Sequence, residues 1–350
     1  MYLTDCKRIA VLSFSIRAIR QETADTKSFE FETPADFFYR PGQFLTIVKR
    51  TAFGEVRRQY SFSSHPDIDS HPRITVKRIP NGEVSRWLHD EVQVGDRVET
   101  IGANGFFTLP QNTAQMETLF LLAAGSGITP LLSLIHEALL HHPQLHIVLL
   151  YSNRSAASTI FLEDLRKLQQ QHPQKLKIEF LFSDAKNLMR ARLGKYVLEE
   201  LFKKHVHTPA KTLAYICGPL DYRQMANITL LNEGVPSEQI RKEIFFTAPA
   251  TLKPLPPDQQ PHQVQITHQS IRDSLIVQYP TTILQAAKER GLNLPYSCEA
   301  GRCGTCAATC TKGTVWMSRN EVLSDGEVAR GRVLTCTGYP VGGDVSLQFE

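Results

Sequence analysis

The chain has 350 residues, of which 42% are hydrophobic and 21% charged, with a formal net charge of +4. That length exceeds what one ordinary core supports and suits two or three domains of roughly 100 to 150 residues, and the composition is that of a globular protein rather than a disordered or membrane-spanning one. The charge forms no basic block or acidic tail, which argues against nucleic acid or a membrane surface as partner and leaves small molecules and proteins.

No apolar run approaches the roughly 20 residues needed to cross a bilayer. The opening MYLTDCKRIAVLSFSIRAIR has a short apolar stretch broken by charge and no small-residue cleavage site, so a cytoplasmic location is expected. From about Phe29 to Leu109, short alternating segments separated by turn residues are expected to be strands: 44–48, 58–63, 73–79 and 97–102. Ile74 and Val76 alternate with Thr75 and Lys77, and Pro41-Gly42, Asn81-Gly82 and Asn104-Gly105 punctuate the run. An antiparallel barrel or sandwich over residues 1–110 follows.

After Pro110 the period changes. LFLLAA (119–124) reads as a buried strand, a glycine-rich turn follows, and PLLSLIHEALL (130–140) has helical spacing; HIVLLY, a helix carrying Phe161, Leu165 and Leu168, and KIEFLF repeat the alternation. Residues 111–247 are therefore expected to form an α/β domain with a parallel sheet. Residues 248–262 carry five prolines and little to bury, the composition of a semi-extended linker. A third domain, 263–350, opens with two strand patterns near 263–267 and 274–278, then the helix ILQAAKER stopped by Gly291.

That third domain carries the most specific motif. Cys298, Cys303, Cys306 and Cys336 are spaced by four, two and 29 intervening residues. Three thiolates on one loop and a fourth from a distant strand match the plant-type [2Fe-2S] arrangement. Zinc would call for paired CxxC or Cys/His knuckles, and no histidine lies nearby. Ala300, Gly301 and Gly304 leave backbone amides free to approach sulfur. Cys310 and Cys6 read as small buried hydrophobes. YSCEAGRCGTC with LSDGEVARGRVLTCTGYP resembles the plant-type ferredoxin domain over residues 263–350, which implies an α+β, β-grasp fold there.

Arg58, Gln59, Tyr60 and Ser61 (RQYS), followed by Gly82, Glu83, Val84 and Ser85 (GEVS), offer what a flavin needs. Tyr60 supplies an aromatic face, Arg58 a cation for phosphate, Ser61 a hydroxyl near the reactive nitrogen, and the 82–85 turn a set of amides at a helix start. In order and position these motifs resemble the flavin site of the ferredoxin-NADP reductase superfamily. The strand-to-helix turn Gly125, Ser126, Gly127, with Thr129 and Pro130 after it, lets backbone approach a pyrophosphate. It lacks the third glycine of GxGxxG, again as in that superfamily. The resemblance further implies that Cys217, Gly218 and Pro219 lie beside the nicotinamide, that Glu243 or the aromatic pair Phe245 and Phe246 close the other flavin face, and that the flavin is FAD rather than FMN.

Ser152, Arg154 and Ser155, with Arg192, offer contacts to a 2′-phosphate where an NAD site commonly has a carboxylate, so NADPH is favoured, with NADH as the alternative. His141 and His142 end a helix, where cations meet its dipole favourably, and no metal is needed to explain them. Ser61, Thr129 and Cys217 are the residues expected at the reacting atoms. The domain order resembles the reductase components of multicomponent oxygenases, most closely those of the phenylacetyl-CoA epoxygenase type, which implies electron delivery to a separate acceptor protein, a di-iron oxygenase. Desaturases, hydroxylases and hybrid-cluster proteins use similar reductases. A redox sensor with negligible turnover, and an oxidase acting directly on a small organic substrate, are the readings from other classes.

Overall fold

The computed structural model describes residues 11–51, 54–184, 192–245, 254–268 and 271–349. Cys6, Phe246 and the first part of the proline-rich segment, 248–253, lie outside the described residues. The chain divides into two compact units. One holds residues 13–103 and 107–245; the other holds the described residues from 254 onward with short segments at 11–12 and 104–106.

The first unit begins with six antiparallel strands: β1 (Leu12–Thr23), β2 (Thr26–Glu32), β3 (Phe44–Thr51), β4 (Gly54–Ser61), β5 (Arg73–Lys77) and β6 (Arg97–Asn104), in the order β4-β3-β6-β1-β2-β5. A bridge between Phe62 and Ile74 joins the two ends of that order and closes the barrel. Phe14, Ile16, Phe29, Phe31, Ile47 and Phe62 fill it, none more than 1% exposed. Helix α1 (Glu83–Asp90) packs on this barrel: His89 Nε2 lies 2.8 Å from the Val76 carbonyl oxygen, and Lys49 Nζ sits 5.8 Å from the centre of the Trp87 ring.

Strands β1 and β2 were not anticipated; in β1 Phe14 and Ile16 alternate inward, but Arg17 and Arg20 after them blur the pattern. β4 occupies 54–61 rather than 58–63. It is the second arm of a hairpin whose register starts at Thr51 opposite Gly54, and its outer residues are exposed and do not alternate.

In the same unit β7 (Thr118–Ala124), β8 (His146–Asn153), β9 (Leu176–Phe182), β10 (Thr212–Cys217) and β11 (Ile240–Glu243) form a parallel sheet in the order β11-β10-β7-β8-β9. Both faces are buried. Leu119 and Leu121 enter one core with Ile135 and Leu149, while Phe120 and Leu122 enter the other with Phe202 and Leu230. Helices α2 (Ile128–His141), α3 (Leu162–Gln171), α4 (Lys195–His205) and α5 (Leu220–Asn232) cover the sheet. After β9 the chain returns to the far side of β7 to make β10. The C-terminal ends of β7 and β10 therefore flank the topological switch point, where open α/β sheets bind ligands.

The other unit has β12 (His262–His268), β13 (Ile271–Val277), β14 (Ala307–Lys312), β16 (Arg332–Leu334) and β18 (Val345–Phe349) in one sheet, with β15 (Val315–Met317) paired to β17 (Gly338–Pro340). Helix α6 (Ile283–Glu289) buries Ile283, Leu284 and Ala287 against Val264, Ile266 and Leu347. Thr282 caps it by accepting from the Gln285 amide, and Gly291 (φ +79) ends it. A short helix α7 (Asp325–Ala329) starts at a Ser324/Glu327 capping box.

Candidate functional site

The three-cysteine loop is shaped by its backbone. Glu299 (φ +50) and Gly301 (φ +71) both take left-handed conformations, and a Cβ on Gly301 would fall 2.6 Å from the Arg319 carbonyl oxygen. The curl turns the Ala300 amide toward Cys298 Sγ at 3.4 Å. Cys336 follows β16. Thr335, just before it, gives both its amide (3.2 Å) and its hydroxyl (3.0 Å) to the Cys306 carbonyl oxygen, which ties the remote strand to the loop.

The result is four thiols in two contacting pairs, Cys298 with Cys303 and Cys306 with Cys336, none in a disulfide. Within each pair one thiol is lowered and its partner raised by their shared hydrogen bond; Cys298 falls to about 6, helped by the amides of Arg302, Ala300 and Cys303. Cys303, Cys306 and Cys336 are buried. Two sulfur pairs with amides aimed at them fit a [2Fe-2S] cluster, in which each iron takes two sulfurs. Cys310 stands apart, half-buried on β14 with its thiol donating to the Lys312 carbonyl oxygen at 3.3 Å, as a small core residue does.

On the barrel, Arg58, Gln59, Tyr60 and Ser61 are the last four residues of β4, opposite Ile47, Thr46, Leu45 and Phe44 of β3. Arg58 is exposed, and burial pushes the Tyr60 phenol up. Ser61 is 2% exposed, yet its hydroxyl has no hydrogen-bond partner among the described residues, and neither has the buried Gln59 Nε2. An unmet buried polar group costs about 1–3 kcal/mol, so two neighbouring ones fit a site shaped for a polar ligand such as a flavin. At the start of α1, Ser85 Oγ donates to the Gly82 carbonyl oxygen at 3.1 Å, and a Cβ on Gly82 would lie 2.2 Å from that hydroxyl. Glu83, Val84 and Ser85 form the first turn, whose amides have no partner within the helix. Lys49, opposite Val56 of β4, reaches from the same hairpin to the Trp87 ring of this helix.

At the switch point, Gly125, Ser126 and Gly127 make a single 3₁₀ turn that runs into α2, and Pro130 falls in the first helical turn, where its missing N–H costs nothing. Thr129 is buried and donates to the Ser126 carbonyl oxygen at 3.1 Å. A Cβ on Gly127 would stand 2.1 Å from the Cys217 carbonyl oxygen, and one on Gly218 would meet Tyr222 at 2.9 Å and Ala124 at 3.0 Å. The turn and the segment Cys217, Gly218, Pro219 are therefore in direct contact, and glycine is the only residue that permits it. Cys217 is fully buried and faces Glu243 across the β10–β11 register. Burial, then Glu243, raise the Cys217 thiol, and burial pushes Glu243 up to about 8 against the pull of Arg223.

Ser155 is occupied as the capping box of the turn 156–158, so its hydroxyl is engaged locally. Arg154 and Arg192 are exposed, and so is Phe245. Two tyrosines, Tyr151 buried and Tyr222 half-buried, escaped the sequence reading although they brace the crevice: Tyr151 OH donates to the Gly125 carbonyl oxygen and Tyr222 OH to that of Ala123, each at 3.0 Å. For Tyr151, on a buried strand, the available signal was that its hydroxyl must find an acceptor.

Comparison with known proteins agrees with this geometry. A family model described as an oxidoreductase FAD-binding domain matches residues 13–109, an oxidoreductase NAD-binding domain matches 121–229, and a 2Fe-2S iron-sulfur cluster binding domain matches 268–341. The chain belongs to the ferredoxin-NADP reductase family, in the branch that carries a C-terminal 2Fe-2S domain. It is an NAD(P)H-dependent electron-transfer oxidoreductase that uses FAD and a [2Fe-2S] cluster.

Among its relatives, it is 32% identical to the ferredoxin reductase component of 3-ketosteroid-9-alpha-monooxygenase from Rhodococcus rhodochrous, over 96% of both chains. It is 30% identical to one of the subunits of 1,2-phenylacetyl-CoA epoxidase from Escherichia coli, over 97% of both. In fold it is similar to phthalate dioxygenase reductase (TM-score 0.60, 23% identity, 97% of this chain and 98% of that one). It is also similar to part of an intact self-sufficient cytochrome P450 monooxygenase (TM-score 0.74, 22% identity), of which it covers 97% of its own length and 41% of that longer chain.

Proposed function

We propose that this chain draws hydride from NADPH at the crevice beyond β7 and β10 and delivers electrons one at a time to the oxygenase component of a multicomponent monooxygenase. The observation that carries this reading is the gathering of four thiols into two contacting pairs on a loop and one remote strand end. When bound, flavin and cluster together supply the conversion of a two-electron hydride into single-electron deliveries.

The chain's own residues hold and orient. Arg58 and the amides of Gly82, Glu83, Val84 and Ser85 bind the flavin phosphates, Tyr60 lies against the ring, and Gln59 Nε2 and Ser61 Oγ donate to its polar edge. The amides of Gly125, Ser126 and Gly127 take the nucleotide pyrophosphate, with Thr129 and Pro130 fixing the turn. Cys217, Gly218 and Pro219 form a small-residue floor on which the nicotinamide lies, and Glu243 closes the same pocket. Arg154 pairs with the 2′-phosphate, so Arg154→Ala is expected to reduce the NADPH-over-NADH preference by about tenfold, as loss of one charged hydrogen bond does.

These assignments divide the chain into a flavin barrel (1–110), a nucleotide domain (111–247), a linker (248–262) and a cluster domain (263–350). A cytoplasmic setting suits thiols that must stay reduced until iron arrives. The printed functions of the ketosteroid and phenylacetyl-CoA relatives support an oxygenase as acceptor. Within that class we infer a di-iron oxygenase, from the likeness to the epoxidase component.

Anaerobic titration of the purified holoenzyme with NADPH, then NADH, tests the reading. Flavin absorbance should bleach first with NADPH, followed by the cluster bands. Bleaching of flavin with no change at the cluster, or a protein that binds zinc in place of iron, would overturn it.

A further inference from the structure

Helix α2 carries a line of polar side chains that the electron-transfer reading leaves unused. Ser133, Glu137 and His141 are spaced by four, so they share one face of the helix. Each meets a successive part of the loop that follows Ser61. Ser133 Oγ donates to the Ser64 carbonyl oxygen at 2.7 Å, His65 Nε2 lies 2.8 Å from Glu137 Oε2, and His141 Nε2 lies 2.8 Å from Asp67 Oδ2. The loop is fastened to the barrel as firmly. Ser64 Oγ lies 2.6 Å from Tyr39 OH and accepts from the Arg73 amide at 2.8 Å, and the His65 amide donates to Asp69 Oδ2 at 2.8 Å. Ser64, His65 and Ser133 are fully buried.

His65, Glu137 and His141 also have the make-up of a metal trio, with ligand atoms within 4.8 Å of one another. The proton position argues for pairing instead. The Asp67 amide donates to His65 Nδ1 at 3.2 Å, which leaves the ring proton on Nε2, where Glu137 accepts it; a metal at Nε2 needs the opposite tautomer. The hydrogen bond from His65 keeps Glu137 below the usual carboxylate range, so it is a charged acceptor. Its other oxygen lies 3.7 Å from His142 Nε2, and His142 Nδ1 lies 2.6 Å from Thr113 Oγ1.

We propose that Glu137, acting through His65, is a positioning residue for hydride transfer. It locks the exit loop of the flavin strand to the nucleotide helix, and so fixes the separation of Ser61, four residues before His65, from Thr129, eight residues before Glu137. At 1.5 Å per residue Thr129 stands about 12 Å along the helix, so a tilt of about 5° at Glu137 moves it by about 1 Å. This rests on the reading that Ser61 and Thr129 flank the reacting ends of flavin and nicotinamide.

The test is anaerobic stopped-flow reduction of the holoenzyme flavin by NADPH. Glu137→Ala is expected to lower the limiting rate about 10- to 100-fold while flavin content and the nucleotide dissociation constant stay within about twofold, because misplacement by about 1 Å far from the chemistry slows the step rather than binding. Glu137→Gln, whose amide oxygen still accepts from His65, should recover most of the rate. Ser133→Ala, which removes one bond of the same line, should show a smaller loss in the same parameter and serves if Glu137→Ala does not fold. His141→Ala should change little, since that pair is 49% and 61% exposed. A Glu137→Ala protein with full flavin that reduces at the wild-type rate would overturn the proposal, as would equal losses in the Ala and Gln variants. Failure of the underlying reading would look different: the wild-type chain would hold no flavin that NADPH reduces.

Discussion

The cysteine loop and the crevice beyond β7 and β10 both depend on glycine, for different reasons. In the loop the requirement begins with the backbone: Gly301 sits at φ +71, and even Glu299 is drawn to φ +50, so that amides turn toward sulfur. In the crevice Gly127 has φ −61, which any residue adopts, and only the Cys217 carbonyl oxygen 2.1 Å from its absent Cβ forbids a side chain. The first demand is written into the nine consecutive residues from Cys298 to Cys306; the second arises between segments 90 positions apart in the chain. A site built locally announces itself through spacing, whereas a site built by approach becomes visible only once the sheet is assembled.

The comparison breaks most sharply at the thiols. Cys306→Ser is expected to abolish cluster incorporation and electron delivery to a protein acceptor, while NADPH still bleaches the flavin and ferricyanide is still reduced. The thiols and the crevice belong to separate compact units, so the loss should stay on one side. Cluster absorbance and the two assays on one preparation decide it, and parallel loss of flavin reduction would deny the units that independence.

Gly127→Ala attacks the other half. The added methyl cannot fit without moving β10 or the turn, and the expected outcome is a rise of about 10- to 100-fold in the KM for NADPH with the cluster spectrum unchanged. An unaltered KM would mean that the contact between the turn and Cys217 has no bearing on nucleotide binding.

The limits of the sequence have physical causes. Cys298, Cys303 and Cys306 were legible as a set because three thiols on one loop make a local pattern, and Cys336 because its L-T-C setting accompanies it. RQYS and GEVS were legible only as a pair, and nothing in either motif foretold that Gln59 Nε2 and Ser61 Oγ would be left buried and unmet. His141 and His142 were explained by the helix dipole alone, yet they meet Asp67 and Thr113, and the His65–Glu137 contact spans 72 positions with no periodicity to betray it. Ser155, offered as a phosphate contact, also caps a short turn, and a serine before such a turn reads alike in both roles. β1 was missed because a half-exposed strand carrying Arg17 and Arg20 has a weak alternation.

The smallest expected effect is a dependence on pH that belongs to the crevice and not to the loop. Burial raises Glu243 to about 8 from an ordinary 4.5, so between those values the folded chain holds a proton that the unfolded chain has released. Stability should therefore fall as pH climbs from about 4.5 to 8 and level off above, the opposite of a carboxylate lowered by an ion pair. Arg223 opposes the shift, and Cys217, itself raised by burial and by Glu243, stays a neutral thiol through this range. Replacing Glu243 with Gln removes the titration while keeping the shape, so the thermal midpoint of the flavin-bearing unit should lose this component of its slope. The cluster bands, followed in the same melts, should bleach along an unchanged pH profile. If the Gln variant keeps the full slope, Glu243 ionises normally, and the pull of Arg223 outweighs the desolvation of its carboxylate.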